Sequence, residues 1–174
     1  MIQFKKTLPE AVIPRRAGPQ EAGFDVTLVR YEKQMAPNAY MFDTGIALSP
    51  PPGYYALLVA RSSLVKYNVL LTNSMGVIDP TYTGSLKVVL SFLGEETLDT
   101  FVPRLPLKLC QLLFLPFLAH LVEVEVSELS EMSPEAAAAT AATTAATTAR
   151  RGANGFGSTD NNNNNLSYDT KNSQ

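Results

Sequence analysis

Short apolar segments, separated by clusters of proline and glycine, run through the first 131 residues and limit what this chain can fold into. The candidate strands are residues 40–48, 54–60, 86–92, 109–115 and 121–126. Breaker segments at 49–53, 73–76 and 93–96 separate several of them, and no long amphipathic helical pattern lies between. Short strands at this close spacing predict an all-β barrel or a double sheet.

Charge and cysteine content exclude several classes of function. The chain has 14 Lys and Arg against 16 Asp and Glu, a formal net charge of −2. We expect no nucleic-acid partner, because neutralising phosphates requires a basic excess. The single cysteine, Cys110, excludes a disulfide framework and a zinc site built from thiolates. The single histidine, His120, argues against a Ser-His-Asp triad, so any chemistry must rest on carboxylates, arginine, hydroxyls and backbone N–H groups.

We find no pattern of a targeting or membrane-spanning segment. Near the start of the chain, Pro9 and Glu10 stand where a signal peptide would carry its apolar region. The most apolar stretch, residues 105–118, is interrupted by Lys108 and Gln111 and is too short for a membrane span. We therefore expect an intracellular protein, cytoplasmic or nuclear, with no membrane partner.

Composition divides the chain into four parts. Residues 1–131 are predicted to form the β core, and 132–150 are a linker rich in alanine and threonine. Ser133 and Pro134 suit the first positions of a helix there, whereas the β-branched threonines oppose its propagation, so a short helix and an irregular linker both stay open. Residues 151–160 form a glycine-rich arm, and the asparagine-rich residues 161–174 predict a disordered tail.

The arm has the composition of a phosphate-binding loop. It reads Arg-Gly-Ala-Asn-Gly-Phe-Gly-Ser-Thr from residue 151 to residue 159. Its glycines allow close backbone approach and an anion nest, and Arg151 can grip a phosphate through two hydrogen bonds. Ser158 and Thr159 add donors, and Phe156 can stack on a base. A plain Arg-Gly-rich tail is the alternative that composition leaves open.

Two further segments carry groups suited to catalysis and anion binding. Asp79 stands at the start of a predicted tight hairpin, either as a general base with Tyr82 packed near it or as a cap of its own turn. Arg61, Ser62 and Ser63 follow the strand predicted at 54–60 and would place an anion binder and two hydroxyls at its end. An ordinary strand end is the alternative for that segment.

Five short motifs follow one another along the chain and include the segments described above. They are Ala22-Gly-Phe-Asp25, Arg61-Ser-Ser-Leu64, Gly76-Val-Ile-Asp79-x-x-Tyr82-x-Gly84, Lys108-Leu-Cys-Gln-Leu112 and Arg151-Gly-x-x-Gly-Phe-Gly-Ser-Thr159. In this order they resemble the motifs of the trimeric dUTP diphosphatase (dUTPase) family; the third and fifth are specific and the others supportive. The resemblance implies an all-β distorted jelly-roll or β-clip barrel with a flexible C-terminal arm. It also implies a homotrimer, with active sites at subunit interfaces, that hydrolyses dUTP to dUMP and diphosphate with Mg²⁺.

The resemblance also implies a role for each motif residue. Asp79 resembles the general base for the water that attacks the α-phosphorus, and Tyr82 the residue under the deoxyribose that leaves no room for a 2′-hydroxyl. The hairpin that runs from Asn73 towards Leu86 and includes Gly76 would read the uracil edge largely through backbone groups. The remaining substrate-binding residues are Arg61, Ser62, Ser63 and Gln111 on the phosphates, Arg151, Gly157, Ser158 and Thr159 closing over the γ-phosphate, and Phe156 stacked on uracil. Asp25 would contact water on a Mg²⁺ held mainly by the triphosphate.

The chain departs from the family pattern in four places. Glu21 precedes the first motif, Pro106 and Leu107 precede the fourth, Asp160 follows the fifth, and the Ala/Thr segment lengthens the arm. These departures leave open a catalytically weak, regulatory nucleotide-binding protein of the same fold. A dCTP deaminase, similar in fold, is the other alternative; it needs a glutamate soon after the hairpin glycine, and residues 85–91 contain no carboxylate.

Overall fold

The computed structural model describes residues 1–118. In chain order the elements are β1 (Gln3–Lys6), β2 (Phe24–Leu28), β3 (Arg30–Ala36), β4 (Ala39–Asp43), β5 (Ile46–Ser49), β6 (Tyr54–Ala60), a 3₁₀ helix (Ser62–Tyr67), β7 (Val69–Leu71), β8 (Met75–Ile78), β9 (Lys87–Phe92), α1 (Leu98–Phe101), a second 3₁₀ helix (Val102–Arg104) and β10 (Leu107–Pro116). No helix within this part of the chain is long and apolar enough to cross a membrane. The predicted boundaries at residues 131, 150 and 160 lie outside the described residues.

The strands form two four-stranded antiparallel sheets and one strand pair. The first sheet has the order β2-β10-β6-β8, the second β3-β4-β9-β7, and β1 pairs with β5. The predicted all-β, jelly-roll-like class is confirmed. Over residues 1–118 the strands remain in separate sheets and do not close into a barrel.

The apolar core lies between the two large sheets. Leu58 of β6 and Leu112 of β10 come from the first sheet, while Phe42 of β4 and Leu90 of β9 come from the second. Phe101 of α1 is fully buried, with its ring centroid 5.2 Å from that of Phe42. Each such side chain contributes about 1.5–3 kcal/mol through burial, so the core fixes both sheets against each other.

The apolar runs predicted strand positions closely where a strand lies at the centre of a sheet. Residues 54–60 are β6, and the runs at 86–92 and 109–115 match β9 and β10 within two residues at each end. The run at 40–48 is two strands, because the chain turns at Gly45, whose φ is +65° and whose N–H donates to Asp43 Oδ1. The strand predicted at 121–126 lies outside the described residues.

The hairpin predicted after Asp79 is wrong in its strand pairing. Tyr82 N donates to the carbonyl oxygen of Asp79 at 3.0 Å, so the chain does turn there. However, β8 pairs with β6 in the first sheet, whereas β9 pairs with β4 and β7 in the second. Residues 79–86 therefore cross from one sheet to the other, which places the Tyr82 segment at the edge between them.

Candidate functional site

One end of the first sheet brings together residues from three of the predicted motifs. Strand β10 lies between β2 and β6, with Gln111 opposite both Asp25 and Val59. Arg61 follows directly after β6, and its backbone N–H donates to the carbonyl oxygen of Leu109 at 2.9 Å. Strand pairing alone therefore places the carboxylate, the amide and the guanidinium next to one another.

These side chains line a cavity of about 310 Å³. Its walls are Ala17, Glu21, Gly23, Asp25, Arg61, Ser62 and Gln111. Four of the predicted site residues, Asp25, Arg61, Ser62 and Gln111, are therefore in one place. Glu21, noted as a departure from the family pattern, also faces this space and adds a negative charge to it.

The Arg61 side chain is held in one orientation by protein groups. Its Nε lies 2.7 Å from Asp25 Oδ1, and one terminal nitrogen donates to the carbonyl oxygen of Lys108 at 3.0 Å and to Ser63 Oγ at 3.3 Å. The guanidinium has five N–H donors, so the donors on its other terminal nitrogen stay available for an anion. Ser63, predicted to bind substrate directly, thus contacts Arg61 in this structure.

Asp25 is placed between two cations. Lys108 Nζ lies 3.2 Å from Asp25 Oδ2, on the side away from the Arg61 contact. The Asp25 backbone N–H donates to the carbonyl oxygen of Arg15 at 2.9 Å, which fixes the residue at the sheet edge. The carboxylate is 17% exposed, so its charge is only partly screened and its pairing with Arg61 is more effective than a fully exposed ion pair.

The Gln111 amide reaches the cavity because residue 23 is a glycine. A Cβ added at Gly23 would lie 2.1 Å from Gln111 Oε1, far inside any real contact. On its other side, Gln111 Nε2 donates to the carbonyl oxygen of Ala60 at 3.2 Å. Gln111 was predicted from the sequence, whereas Gly23 was not, although Gly23 stands in the Ala22-Gly-Phe-Asp25 motif.

Asp79 and Tyr82 lie at the far end of β6 from this cavity. Ile78 pairs with Ala56, so Asp79 continues the register opposite Tyr55, six residues before Arg61. At about 3.3 Å per residue these two ends of β6 are ~20 Å apart. A single copy of the chain therefore does not bring Asp79 and Arg61 together.

Asn73 and Gly76 lie at the start of β8. Gly76 pairs with Leu58, and the Asn73 side-chain nitrogen would lie 3.7 Å from a Cβ added at Gly76. Met75 N donates to the carbonyl oxygen of Asn73 at 2.6 Å, which forms a tight turn before the strand. Asn73, in the turn before β8, therefore lies beside Gly76 of β8, the strand that leads to Asp79.

Two hydrogen bonds connect the Tyr82 phenol to the buried Asp43 carboxylate through Ser85. The Tyr82 phenol donates to the carbonyl oxygen of Ser85 at 2.9 Å, and Ser85 Oγ donates to Asp43 Oδ1 at 2.5 Å. Burial opposes ionisation of Asp43, but hydrogen bonds from Lys87, Ser85 and the Gly45 backbone outweigh it and hold the Asp43 pKa below its usual value. For the same reason the Lys87 pKa is raised, since its hydrogen bonds to carboxylates outweigh its own burial.

Cys110 plays no part in this arrangement. It is fully buried in β10, and burial raises the pKa of its thiol to about 12. A thiol that stays protonated at neutral pH is a poor nucleophile and metal ligand. The arm residues Arg151, Phe156, Gly157, Ser158 and Thr159, together with His120, lie outside the described residues.

Comparison with known proteins gives a consistent family. A family model described as dUTPase matches residues 9–141. The deoxyuridine 5′-triphosphate nucleotidohydrolase of Escherichia phage T5 is 36% identical over 125 residues, which cover 67% of this chain and 80% of the relative. The enzyme of the same name from Clostridium acetobutylicum is 30% identical over 116 residues, which cover 66% of this chain and 78% of the relative.

Solved structures share the fold. A mutant dUTPase from phage phi11 of S. aureus, studied for its coordination of a structural Mg(II) ion, matches with a TM-score of 0.61 at 20% identity, over 75% of this chain and 99% of that one. A mutant dUTPase of Staphylococcus bacteriophage 80alpha with dUpNHpp matches with a TM-score of 0.58 at 19% identity, over 91% of this chain and 98% of that one.

Proposed function

The chain belongs to the dUTPase family, and we propose that it binds dUTP in a site that two or more copies of the chain build together. Its activity is the hydrolysis of dUTP to dUMP and diphosphate. The observation that carries the proposal is the cavity in which Asp25, Arg61, Ser62 and Gln111 converge. These are the residue types that a triphosphate requires: a fixed guanidinium, a hydroxyl and an amide.

The cavity is the triphosphate-binding half of the site. Arg61 is oriented by Asp25 and by the Lys108 carbonyl before any ligand arrives, so its free donors need little reorganisation to contact a phosphate. Hydrolysis of a phosphoanhydride depends mainly on positioning and on stabilising charge, which this arrangement supports. Ser62 and Gln111 add donors, and Ser63 keeps Arg61 in place.

The donor set at this cavity fits Mg²⁺ held chiefly by substrate. Within residues 1–118 no group of three or more His, Cys, Asp or Glu side chains is arranged to hold a metal ion. Magnesium usually keeps several waters and is bound by one or two carboxylates together with substrate phosphates, and Asp25 supplies one carboxylate here. When bound, Mg²⁺ supplies charge neutralisation on the phosphate oxygens. Asp25 would hold one of its waters.

Asp79 and Tyr82 form the nucleoside half of the site. The Asp79 carboxylate accepts a proton from the water whose oxygen attacks the α-phosphorus. The new P–O bond forms as the bond to the oxygen that bridges the α- and β-phosphorus breaks, and diphosphate leaves. The Tyr82 ring lies under the deoxyribose and excludes a 2′-hydroxyl, while the backbone of the segment from Asn73 to Gly76 reads the uracil edge.

The outward face of the first sheet supports assembly of several copies. Leu113, Leu57 and Val77 form one row across β10, β6 and β8, on the face opposite the core. Val77 is 57% exposed and Met75, on the same edge strand, is 51% exposed. Apolar side chains that are exposed or partly exposed on one sheet face favour a protein interface there. Together with the ~20 Å between Asp79 and Arg61 along β6, it supports a homotrimer in which one copy completes the pocket of another and the 151–159 arm closes over it.

The activity is tested by diphosphate release from dUTP, UTP, dTTP and dCTP, each with and without Mg²⁺. Metal-dependent release from dUTP, with little from the other three, is the expected result. Ammonia release from dCTP would instead support the deaminase. Tight dUTP binding without release would support a regulatory protein.

The shared site is tested by mixing two inactive variants, Arg61→Ala and Asp79→Asn. After the two are unfolded and refolded together, about a quarter of the sites in a random cyclic trimer combine an intact Arg61 from one copy with an intact Asp79 from another. Activity should therefore reappear in the mixture and stay absent in each variant refolded alone. No recovery, in a mixture shown to contain mixed trimers, would mean that both residues act from the same copy.

A further inference from the structure

A chain of hydrogen bonds joins the end of β4 to the Tyr82 segment. Asp43 is 3% exposed, and its Oδ1 accepts from Ser85 Oγ at 2.5 Å and from the Gly45 N–H at 2.8 Å. Its Oδ2 accepts from Lys87 Nζ at 2.6 Å. The hydrogen bonds from Ser85 and Lys87 span 42 and 44 residues of the chain, so Asp43 acts as an anchor for residues 85–87.

The backbone on either side of Ser85 is fixed to the same corner. Leu86 N donates to the carbonyl oxygen of Ile46 at 2.7 Å, and Thr44 donates to the Leu86 carbonyl oxygen through both its N–H, at 3.2 Å, and its hydroxyl, at 3.0 Å. The Tyr82 phenol is bound to the Ser85 carbonyl at 2.9 Å. The ring is therefore held at its hydroxyl end by a segment that the corner between β4 and β5 keeps in place.

We propose that Asp43 and Ser85 are positioning residues for sugar discrimination, acting through Tyr82. The inference rests on the proposed role of Tyr82 beneath the deoxyribose. Exclusion of a 2′-hydroxyl is steric, so it works only while the ring is held within a fraction of an ångström of its place. A ring released at its phenol end can tilt away and admit a ribonucleotide, with no loss of the groups that do the chemistry.

The surroundings of Asp43 make Ser85 the cleaner of the two residues to change. Lys87 also contacts Glu32, and Arg30 Nη2 lies 3.6 Å from Asp43 Oδ2, so removing the carboxylate would change the charge balance around two cations and take one of two carboxylate partners from Lys87. Removing only the Ser85 hydroxyl leaves Asp43 its bonds from Lys87 and Gly45. The fold should survive that change while the segment under Tyr82 loosens.

The experiment compares kcat/KM for dUTP with kcat/KM for UTP in the full-length chain. For Ser85→Ala and for Tyr82→Phe we expect the ratio of the two kcat/KM values to fall about 10-fold. For Ser85→Ala the fall should come mainly from a lower KM for UTP and a higher KM for dUTP, with kcat for dUTP little changed. Ser91→Ala is the matched control. It removes another hydroxyl bond, the 2.9 Å contact between Ser91 and Thr72, and should leave the ratio unchanged.

Further variants separate the possible failures. Asp43→Asn keeps an oxygen that can accept a hydrogen bond, so its ratio of kcat/KM for dUTP to kcat/KM for UTP should fall less than that of Asp43→Ala. If Tyr82→Ala lowers the ratio and Ser85→Ala does not, the positioning role is wrong while the role of Tyr82 stands. If the unmodified chain does not prefer dUTP to UTP, or if Tyr82→Ala leaves the ratio unchanged, the proposed role of Tyr82 fails, and this inference fails with it.

Discussion

Gly23→Ala is expected to weaken dUTP binding, because the added methyl group would displace the Gln111 amide from the cavity and has no hydrogen-bonding group to put in its place. The added Cβ would lie 2.1 Å from Gln111 Oε1 and 2.9 Å from Gln111 Cδ, whereas ordinary contacts begin at 3.4 Å. The amide must therefore retreat by about 1.3 Å or more to restore van der Waals contact. That movement breaks the 3.2 Å bond from Gln111 Nε2 to the Ala60 carbonyl and removes the amide from the cavity.

The size of the effect follows from these two losses. The lost protein hydrogen bond costs about 0.5–1.5 kcal/mol of unfolding free energy. The lost contact to a charged phosphate costs about 1.5–3 kcal/mol of transition-state stabilisation, which corresponds to a fall of roughly 10- to 160-fold in kcat/KM. Urea unfolding measures the first quantity, and diphosphate release from dUTP measures the second.

Two further variants control this test: a substitution at a second glycine and a double variant at Gly23 and Gln111. Gly18 precedes the same motif, and a Cβ there would meet only Glu21 Cγ at 3.9 Å, so Gly18→Ala should change neither quantity. If Gly23→Ala acts through Gln111, adding it to Gln111→Ala should cost little further activity. Full additivity of the two changes, or normal kcat/KM in Gly23→Ala, would refute the displacement argument.

Three other predictions follow from the site. Asp79→Asn should abolish turnover yet leave the affinity for dUTP within about 2-fold, because the change removes the carboxylate that accepts the proton and leaves the phosphate-binding groups intact. Stopped-flow binding measures the affinity and product release measures the turnover; normal turnover would exclude Asp79 as the base. Truncation after residue 150 should leave the urea midpoint unchanged and remove most activity, and an unchanged rate would mean that the arm is dispensable. The lowered pKa of Asp43 means that its contribution to stability is complete above the pKa of the unfolded carboxyl, about 3.9, and is lost as pH falls through the folded value. The unfolding free energy should therefore decline below about pH 4, and Asp43→Asn should flatten that decline.

Strands at the centre of a sheet could be predicted from sequence where their residues are apolar throughout. β6 is such a strand, and its limits were found to the residue. β3 was missed since it is an edge strand with charged and polar residues, such as Glu32 and Lys33, of which nearly all are exposed. The break between β4 and β5 occurs at Gly45, whose φ is +65°, and a single glycine inside an apolar run does not by itself predict such a turn. The bonds of Asp43 to Ser85 and Lys87, 42 and 44 residues away, also have no local signal in the sequence.

The residues that belong to the site could be predicted from the sequence, but their positions relative to one another could not. Motif order identified Asp25, Arg61 and Gln111, and the structure brings them together. The bond from Lys108 to Asp25 spans 83 residues, so its existence depends on β10 pairing with β2. The separation of Asp79 from Arg61 likewise depends on β8 pairing with β6, which the predicted hairpin had not included.

Strand β6 acts as a spacer between two half-sites, the triphosphate-binding half and the nucleoside half of the proposed site. This restricts which insertions and deletions the chain can accept in evolution. Its seven residues form part of the core wall and also set the distance between the Asp79 end and the Arg61 end. Inserting two residues would keep the alternation of buried and exposed side chains, so the core would accept the change. It would nevertheless shift one half-site against the other by about 7 Å, far more than in-line attack tolerates. Length can vary in the segments that connect the strands, whereas a site shared between copies, as proposed above, would hold this strand to a fixed number of residues.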